Sequence, residues 1–272
     1  MFSKDEFPPL PKIPSISGVR VSGVAAGLKD NGMHDLFVAE LVPGSTIAGT
    51  LTRSRCPGMP VEWSKRQLPG GKVRVIVASS GNSNVFTGNQ GRKLVENTAA
   101  AAAKSIGCRT SEVFLASTGI IGEKKEVSFV ADKVPMGVKA LTEVAWHDAA
   151  RSIMTTDRFP KAVVRKVKIG TSNVILAGIA KGSTMIAPDM GTMLSFLFTD
   201  AKIPGKVLQS CLTRAVNRSF NCISVDGDTS TSDTVLLSAT GQVKLQPKIE
   251  RASDPFLKNF RIALEEMTIE LA

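Results

Sequence analysis

Tyrosine is missing altogether from these 272 residues, and histidine occurs only as His34 and His147. Histidine-based catalysis therefore has few candidates, and His147, beside Trp146 in a helix-like stretch, reads as a surface or core residue. Aromatic residues reach only 5%, so platforms on which nucleic-acid bases stack are scarce. The four cysteines, Cys56, Cys108, Cys211 and Cys222, are widely spaced with no C-x-x-C, which argues against a disulfide scaffold and a thiolate zinc site. No apolar run has the length of a membrane span. The N-terminal stretch MFSKDEFPPLPKIPSISG carries acids and four prolines but no apolar segment and no arginine-rich amphipathic pattern, so neither a signal nor a transit peptide is expected. H-E-x-x-H, the P-loop and G-x-G-x-x-G are all missing. The expectation is a soluble, cytoplasmic protein with no membrane partner and no bound metal.

What is present is a globular share of apolar residues, 43%, and an excess of base, 34 Lys and Arg against 24 Asp and Glu. The basic residues are spread along the chain, and the densest stretch, KAVVRKVK at 161–168, has a strand-like pattern. Nucleic acid is therefore not expected as a partner, whereas small anionic substrates suit a basic surface. The order of elements reads as mixed α/β. Strands are expected at 73–79, 112–117, 222–225 and 234–239, and three more in quick succession at VVRKVKIG, NVILAGIA and MLSFLFTD, joined as hairpins. Helices are expected at 91–107, ending at Gly107, at 136–153, at 205–218, and from the Asp254-Pro255 start to the end. Strand clusters alternating with single helices predict layered sheets with helices outside. The final helix has a start signal and no stop, so the fold is expected to continue beyond Ala272.

Three loops draw attention. DGDTSTSDT at 226–234 looks metal-like but lacks the spacing of a calcium loop, and reads as a turn held by Asx and Ser/Thr bonds. GNSNVFTGNQG at 81–91 leads into a helix N-terminus, where an anion would fit, although a turn explains it as well. KGSTMIAPDMGTML at 181–194 joins two apolar runs, and its Gly182, Pro188 and Gly191 suffice for a turn. It also sets Thr192 at the mouth of the next strand, directly after Gly191. A threonine hydroxyl is a poor nucleophile unless a base adjoins it, and an N-terminal threonine carries that base as its own α-amine. A residue without a side chain before it leaves the carbonyl open to attack.

Taken together, VSGVAAGLK, SGNSNVFTGNQG, ASTGIIGE, MTTDRFPKA, KGSTMIAPDMGTML and DGDTSTSDT resemble, in this order along the chain, the motifs of the glutamate N-acetyltransferase (ornithine acetyltransferase) family of arginine biosynthesis. The resemblance covers nearly the whole chain. It implies an α/β layered sandwich of mixed β-sheets flanked by helices, shared with the DmpA-like fold. It implies self-cleavage between Gly191 and Thr192, with 1–191 matching an alpha chain and 192–272 the first part of a beta chain, assembled as a heterotetramer of two of each. Thr192 would be the nucleophile that accepts acetyl from N-acetylornithine and passes it to glutamate. Thr118 and Gly119 would form the oxyanion hole, and Thr155, Lys181 and Thr192 would bind substrate. No cofactor is implied, with acetyl-CoA standing as an alternative acetyl donor. Asp189 and Gly191 replace the family's usual Asn and Ala, and Thr184 its usual Gly. Family members continue past this length and supply a glutamate, an asparagine and a small hydroxyl residue to the substrate. The competing expectations are an aminopeptidase or amidohydrolase in which water resolves the acyl-enzyme, and an inactive truncated relative.

Overall fold

The computed structural model describes residues 9–187 and 193–272. Among the described residues, nine strands form two sheets. The first contains β1 (Val19–Val24), β2 (Leu36–Leu41), β4 (Val75–Asn82) and β5 (Val113–Ile120), in the order β1-β2-β4-β5. The second contains β3 (Thr46–Leu51), β6 (Lys161–Ile169), β7 (Ser172–Lys181), β8 (Leu194–Ala201) and β9 (Thr234–Val243), in the order β3-β9-β8-β7-β6. Each sheet has one parallel pair, β4 with β5 and β8 with β9, and is otherwise antiparallel.

The apolar runs are continuous because both faces of the sheets are covered. On β4, Val75 and Val77 face an outer core shared with Leu94 and Val95 of α2 (Gly88–Ile106), while Ile76 and Ala78 face the other sheet. On β8, Leu194, Phe196 and Phe198 point into that same central core, and Leu197 and Ala201 point to a second outer core under α5 (Gly205–Asn217) and α6 (Lys258–Leu271). The sheets meet through rings. Phe37 stacks on Phe196 with centroids 4.9 Å apart, and Trp146 meets Phe198 edge-on at 5.5 Å. The architecture is helix, sheet, sheet, helix, as the sequence predicted.

Two expected elements differ. The helix expected over 136–153 is two short ones, α3 (Val134–Lys139) and α4 (Trp146–Ser152). Between them Thr142 pairs with Val21 of β1. Val134 and Leu141 serve the outer core, whereas Trp146, Ala149 and Ile153 serve the central one, so one apparent periodicity was two. The strand expected at 222–225 is a loop after a single 3₁₀ turn at Phe220–Cys222. Val225 N–H and the Ser224 hydroxyl both donate to Ile186 O, so this segment braces a loop rather than joining a sheet. The helix from Asp254 does form. Asp254 Oδ1 accepts from Phe256 N–H at 2.9 Å over a first 3₁₀ turn, and α6 follows. Among the described residues no helix is long and apolar enough to cross a membrane.

Candidate active site

The two parallel pairs meet at one end of the sandwich. There β4 and β5 finish, with Gly81 and Gly119 in register. Gly119 has φ +128°, and a Cβ added to it would lie 2.3 Å from the Gly81 carbonyl carbon, so no side chain fits between the two strand ends. Thr118 is buried beside it. Ligands commonly bind beyond the carboxyl ends of parallel strands, because there the backbone opens outward.

On the facing sheet, Lys181 ends β7, Leu194 begins β8 opposite it, and Thr234 begins β9 opposite Leu194. The two flanks of the 182–193 segment, Lys181 and Leu194, are therefore paired at one end of the sheet. Gly191 and Thr192, with Asp189, lie outside the described residues. The flanks of the segment are firmly held. Asp226 accepts from Met185 N–H at 2.5 Å and Ile186 N–H at 2.9 Å, and these backbone bonds lower its carboxyl below the usual range. Asp228 N–H also bonds Asp226, and Ser232 N–H bonds the Ser230 hydroxyl, so DGDTSTSDT forms the turn expected of it. In GNSNVFTGNQG, Asn84 donates to Gly91 O and accepts from Thr87, while Asn82, Ser83 and Gln90 donate to Glu123 O, Ile120 O and Lys125 O at and beyond the end of β5.

Thr155 follows α4. Asp157 ties its turn to the end of β7, accepting from Thr155 N–H at 3.1 Å and Gly182 N–H at 2.6 Å. Thr156 and Ser183 exchange a hydroxyl bond at 2.7 Å. Lys29, in the VSGVAAGLK stretch, donates to Met154 O at 2.7 Å and His34 O at 3.2 Å. Its loop is folded around the Asp35 carboxylate, which accepts from Ala26, Leu28 and Lys29 N–H. Thr118, Gly119, Thr155 and Lys181 thus share one cleft of about 540 Å³, with Lys29 and Lys125 also on its walls.

Lys181 is only 3% exposed and lies in the wall of this cleft. Burial lowers its pKa, opposed by the negative charges of Asp157 and Asp233 and reinforced by Lys29 and Lys161. Burial also lowers Lys29 and Lys161. A largely buried ammonium in the wall of a basic cleft is a ready partner for a carboxylate. Among the described residues no group of His, Cys, Asp and Glu is placed to hold a metal ion.

A family model for the ArgJ family matches residues 20–272. The chain belongs to the ArgJ family. It is 48% identical over 264 residues to the arginine biosynthesis bifunctional protein ArgJ of Gluconobacter oxydans, a match covering 97% of this chain. It spans 62% of that relative's length. The solved ornithine acetyltransferase of Mycobacterium tuberculosis, in complex with ornithine, is 29% identical with a TM-score of 0.60, covering 68% of this chain and 99% of that one. An L-aminopeptidase D-Ala-esterase/amidase from Ochrobactrum anthropi, described as a variant of the Ntn hydrolase fold, shares the fold at 12% identity, with a TM-score of 0.57 over 97% of this chain and 88% of its own.

Lys29, Asp157 and Asp233 had no expected role, although each lies inside a motif that carries the ArgJ resemblance. Their types gave a weak signal at best. An Asp in a Ser/Thr-rich loop reads as a turn residue until its burial is known.

Proposed function

We propose that this chain carries the acyl-transfer centre of an acetyltransferase that moves acetyl from N-acetylornithine to glutamate through an acetyl-Thr192 intermediate. The observation that carries the reading is the meeting of Thr118, Gly119, Thr155 and Lys181 in one cleft, at the end of the sheet where Lys181 pairs with Leu194. Membership of the ArgJ family supports the substrate pair. The M. tuberculosis chain supports cleavage at Gly191-Thr192, since it is matched almost end to end by 68% of this one, a share close to the part before Thr192.

In this reading, breaking the Gly191–Thr192 bond frees the α-amine of Thr192. That amine takes the hydroxyl proton as Oγ attacks the acetyl carbonyl, then gives it to the leaving amine of ornithine. Thr118 and Gly119 face the oxyanion, and Lys181 holds the substrate carboxylate. Glutamate's amine next attacks the acetyl ester and restores the hydroxyl. The working form is a cytoplasmic assembly of two alpha and two beta chains, with acetyl-CoA an alternative donor to the same threonine.

Denaturing intact-mass analysis of protein made from the full reading frame tests the first step. The expected result is one fragment ending at Gly191 and one beginning at Thr192, with none from Thr192→Ala. A single intact mass after prolonged incubation of folded protein overturns it. For the second step, ornithine release should require glutamate. Release into water at an equal rate would identify an amidohydrolase instead.

A further inference from the structure

Thr155 and Lys181 come to the cleft from different parts of the fold. Thr155 lies in the connection between α4 and β6, and Lys181 is the last residue of β7. One side chain joins them. Asp157, half-buried, accepts from Thr155 N–H at 3.1 Å through Oδ2 and from Gly182 N–H at 2.6 Å through Oδ1. Gly182 directly follows Lys181, so the second bond pins the peptide unit that these two residues share. The carbonyl of the same Gly182 accepts from Lys161 Nζ at 3.2 Å. Beside it the Thr156 and Ser183 hydroxyls are bonded at 2.7 Å. The 155–161 segment thus grips the chain just past β7 by both polar groups of one residue and by the side chain of the next. A carboxylate with one oxygen on each partner acts as a strut, because it cannot shift without losing one of two charge-assisted bonds.

We infer that Asp157 is a positioning residue that fixes the spacing of Thr155 and Lys181 across the cleft and sets a negative charge beside the Lys181 ammonium, so that the pair forms a clamp for an amino-acid α-carboxylate. This rests on the acetyl-transfer reading above. N-acetylornithine and glutamate differ in their side chains but share that carboxylate, so one rigid clamp serves both halves of the exchange. Such a clamp must be held to within about 0.5 Å by groups that do not themselves touch substrate.

The electrostatics agree with this placement. Burial lowers the pKa of Lys181, Asp157 and then Asp233 oppose the fall, and Lys29 and Lys161 add to it. Asp157 also opposes the effect of burial at Lys161, and at Lys29 it does so behind Asp35. Lys181 holds a carboxylate only while it is protonated. The charge of Asp157 therefore extends towards alkaline pH the range in which the clamp works.

Protein made from the full reading frame would be compared with its Asp157→Asn and Asp157→Glu variants. The measurements are thermal melting, KM and kcat for both substrates across pH, and the titration of the carbon-13-labelled Lys181 side chain, assigned through Lys181→Arg. An asparagine amide has one acceptor oxygen, so it keeps one backbone bond and turns a donor against the other N–H. The expected Asn variant melts cooperatively, with KM for both substrates raised at least about tenfold, the scale of one lost hydrogen bond to a charged group, and with kcat changed less. Its KM should begin its alkaline rise at a lower pH than in the wild type, and the Lys181 signal should titrate at a lower pH too. Asp157→Glu keeps the charge on a longer stem, so KM should rise while the Lys181 titration stays in place. An Asn variant with wild-type KM for both substrates and a wild-type Lys181 titration overturns the proposal. If that variant does not melt cooperatively, the Glu variant decides, and wild-type KM values there sink the idea. A wild type that moves no acetyl between the two amino acids overturns the transfer reading by itself. The Lys181 titration then decides this one, and a curve unchanged by Asp157→Asn refutes it.

Discussion

The two parallel strand pairs face each other across the cleft, yet they arrive from opposite directions. β4 and β5 end there, whereas β8 and β9 begin there. The ending pair brings glycines, Gly81 and Gly119, packed backbone to backbone, and the small side chain of Thr118. The sheet of the beginning pair brings buried ionisable groups, with Asp233 directly before β9 and Lys181 at the end of β7, on either side of β8. One wall is therefore fixed geometry, and the other is adjustable charge. The proposed reaction, which would stabilise an oxyanion and also move protons, would gain by keeping these tasks on separate sheets. The first needs rigidity and the second needs shifted pKa values, which come from burial.

The comparison breaks most severely at Gly119. Gly119→Ala sets a methyl group against the Gly81 backbone and imposes a left-handed φ on alanine, a strain of about 1–3 kcal/mol before any clash is counted. Acetyl transfer should fall by about 10²-fold or more, since a misplacement of about 1 Å at a reacting centre costs that much. Steady-state rates and melting temperature, measured together, check it. Wild-type behaviour in both would mean that the strand ends are not packed as described.

Thr118→Ala is gentler on the fold and sharper on the role. Loss of one oxyanion donor lowers kcat by roughly 10²–10³ with little change in KM. A rise in KM alone would move Thr118 to ground-state binding, and the wall would lose its assigned task.

The smallest effect is a stability change with a definite sign. Lys181 is held below 10.5 in the folded protein, so over the window between its lowered value and 10.5 the unfolded chain binds more protons, and stability rises with pH. Asp233 does the reverse. Raised from 3.8 to about 8, it supports the fold fully below 3.8, and that support is lost as pH rises through about 8. Lys181→Met keeps the stem and removes the buried charge. It should melt higher near neutral pH, at about 2–4 °C for each kcal/mol gained, while raising KM for substrate. A lower melting point would show that the Lys181 ammonium is satisfied and not merely enclosed.

The layered architecture was legible because its strands are covered on both faces, which writes them as unbroken apolar runs such as MLSFLFTD. β1, β2 and β3 left a fainter trace. Each is six residues long, and Gly23 and Gly49 interrupt two of them. Gly23 sits where an added Cβ would strike the Asp148 carbonyl, so its place is set by α4, a partner distant in sequence. The 136–153 stretch failed for a related reason, since helical spacing does not say which core each apolar residue enters. At the site, Thr118, Gly119, Thr155 and Lys181 came from the family resemblance, and the fold brings them together. Asp157 and Asp233 were invisible because their meaning lies in what they bond, Gly182 N–H and Met193 N–H, and neither contact has a sequence period.

The pairing of β7 with β8 has a bearing on how such a molecule can be made. Leu176 to Lys181 zips against Leu194 to Thr199, on either side of the Gly191–Thr192 bond. In the order β3-β9-β8-β7-β6, the two strands contributed after that bond occupy the middle of the sheet. A polypeptide ending at Gly191 would hold β3 on one side of a gap and β6 with β7 on the other. Two separately translated pieces would each begin life with open strand edges and half a core, an invitation to aggregate. One gene and one continuous translation avoid this. With the proposed cleavage, assembly would be complete before any bond is cut, and the severed halves would stay interleaved without ever having had to find each other.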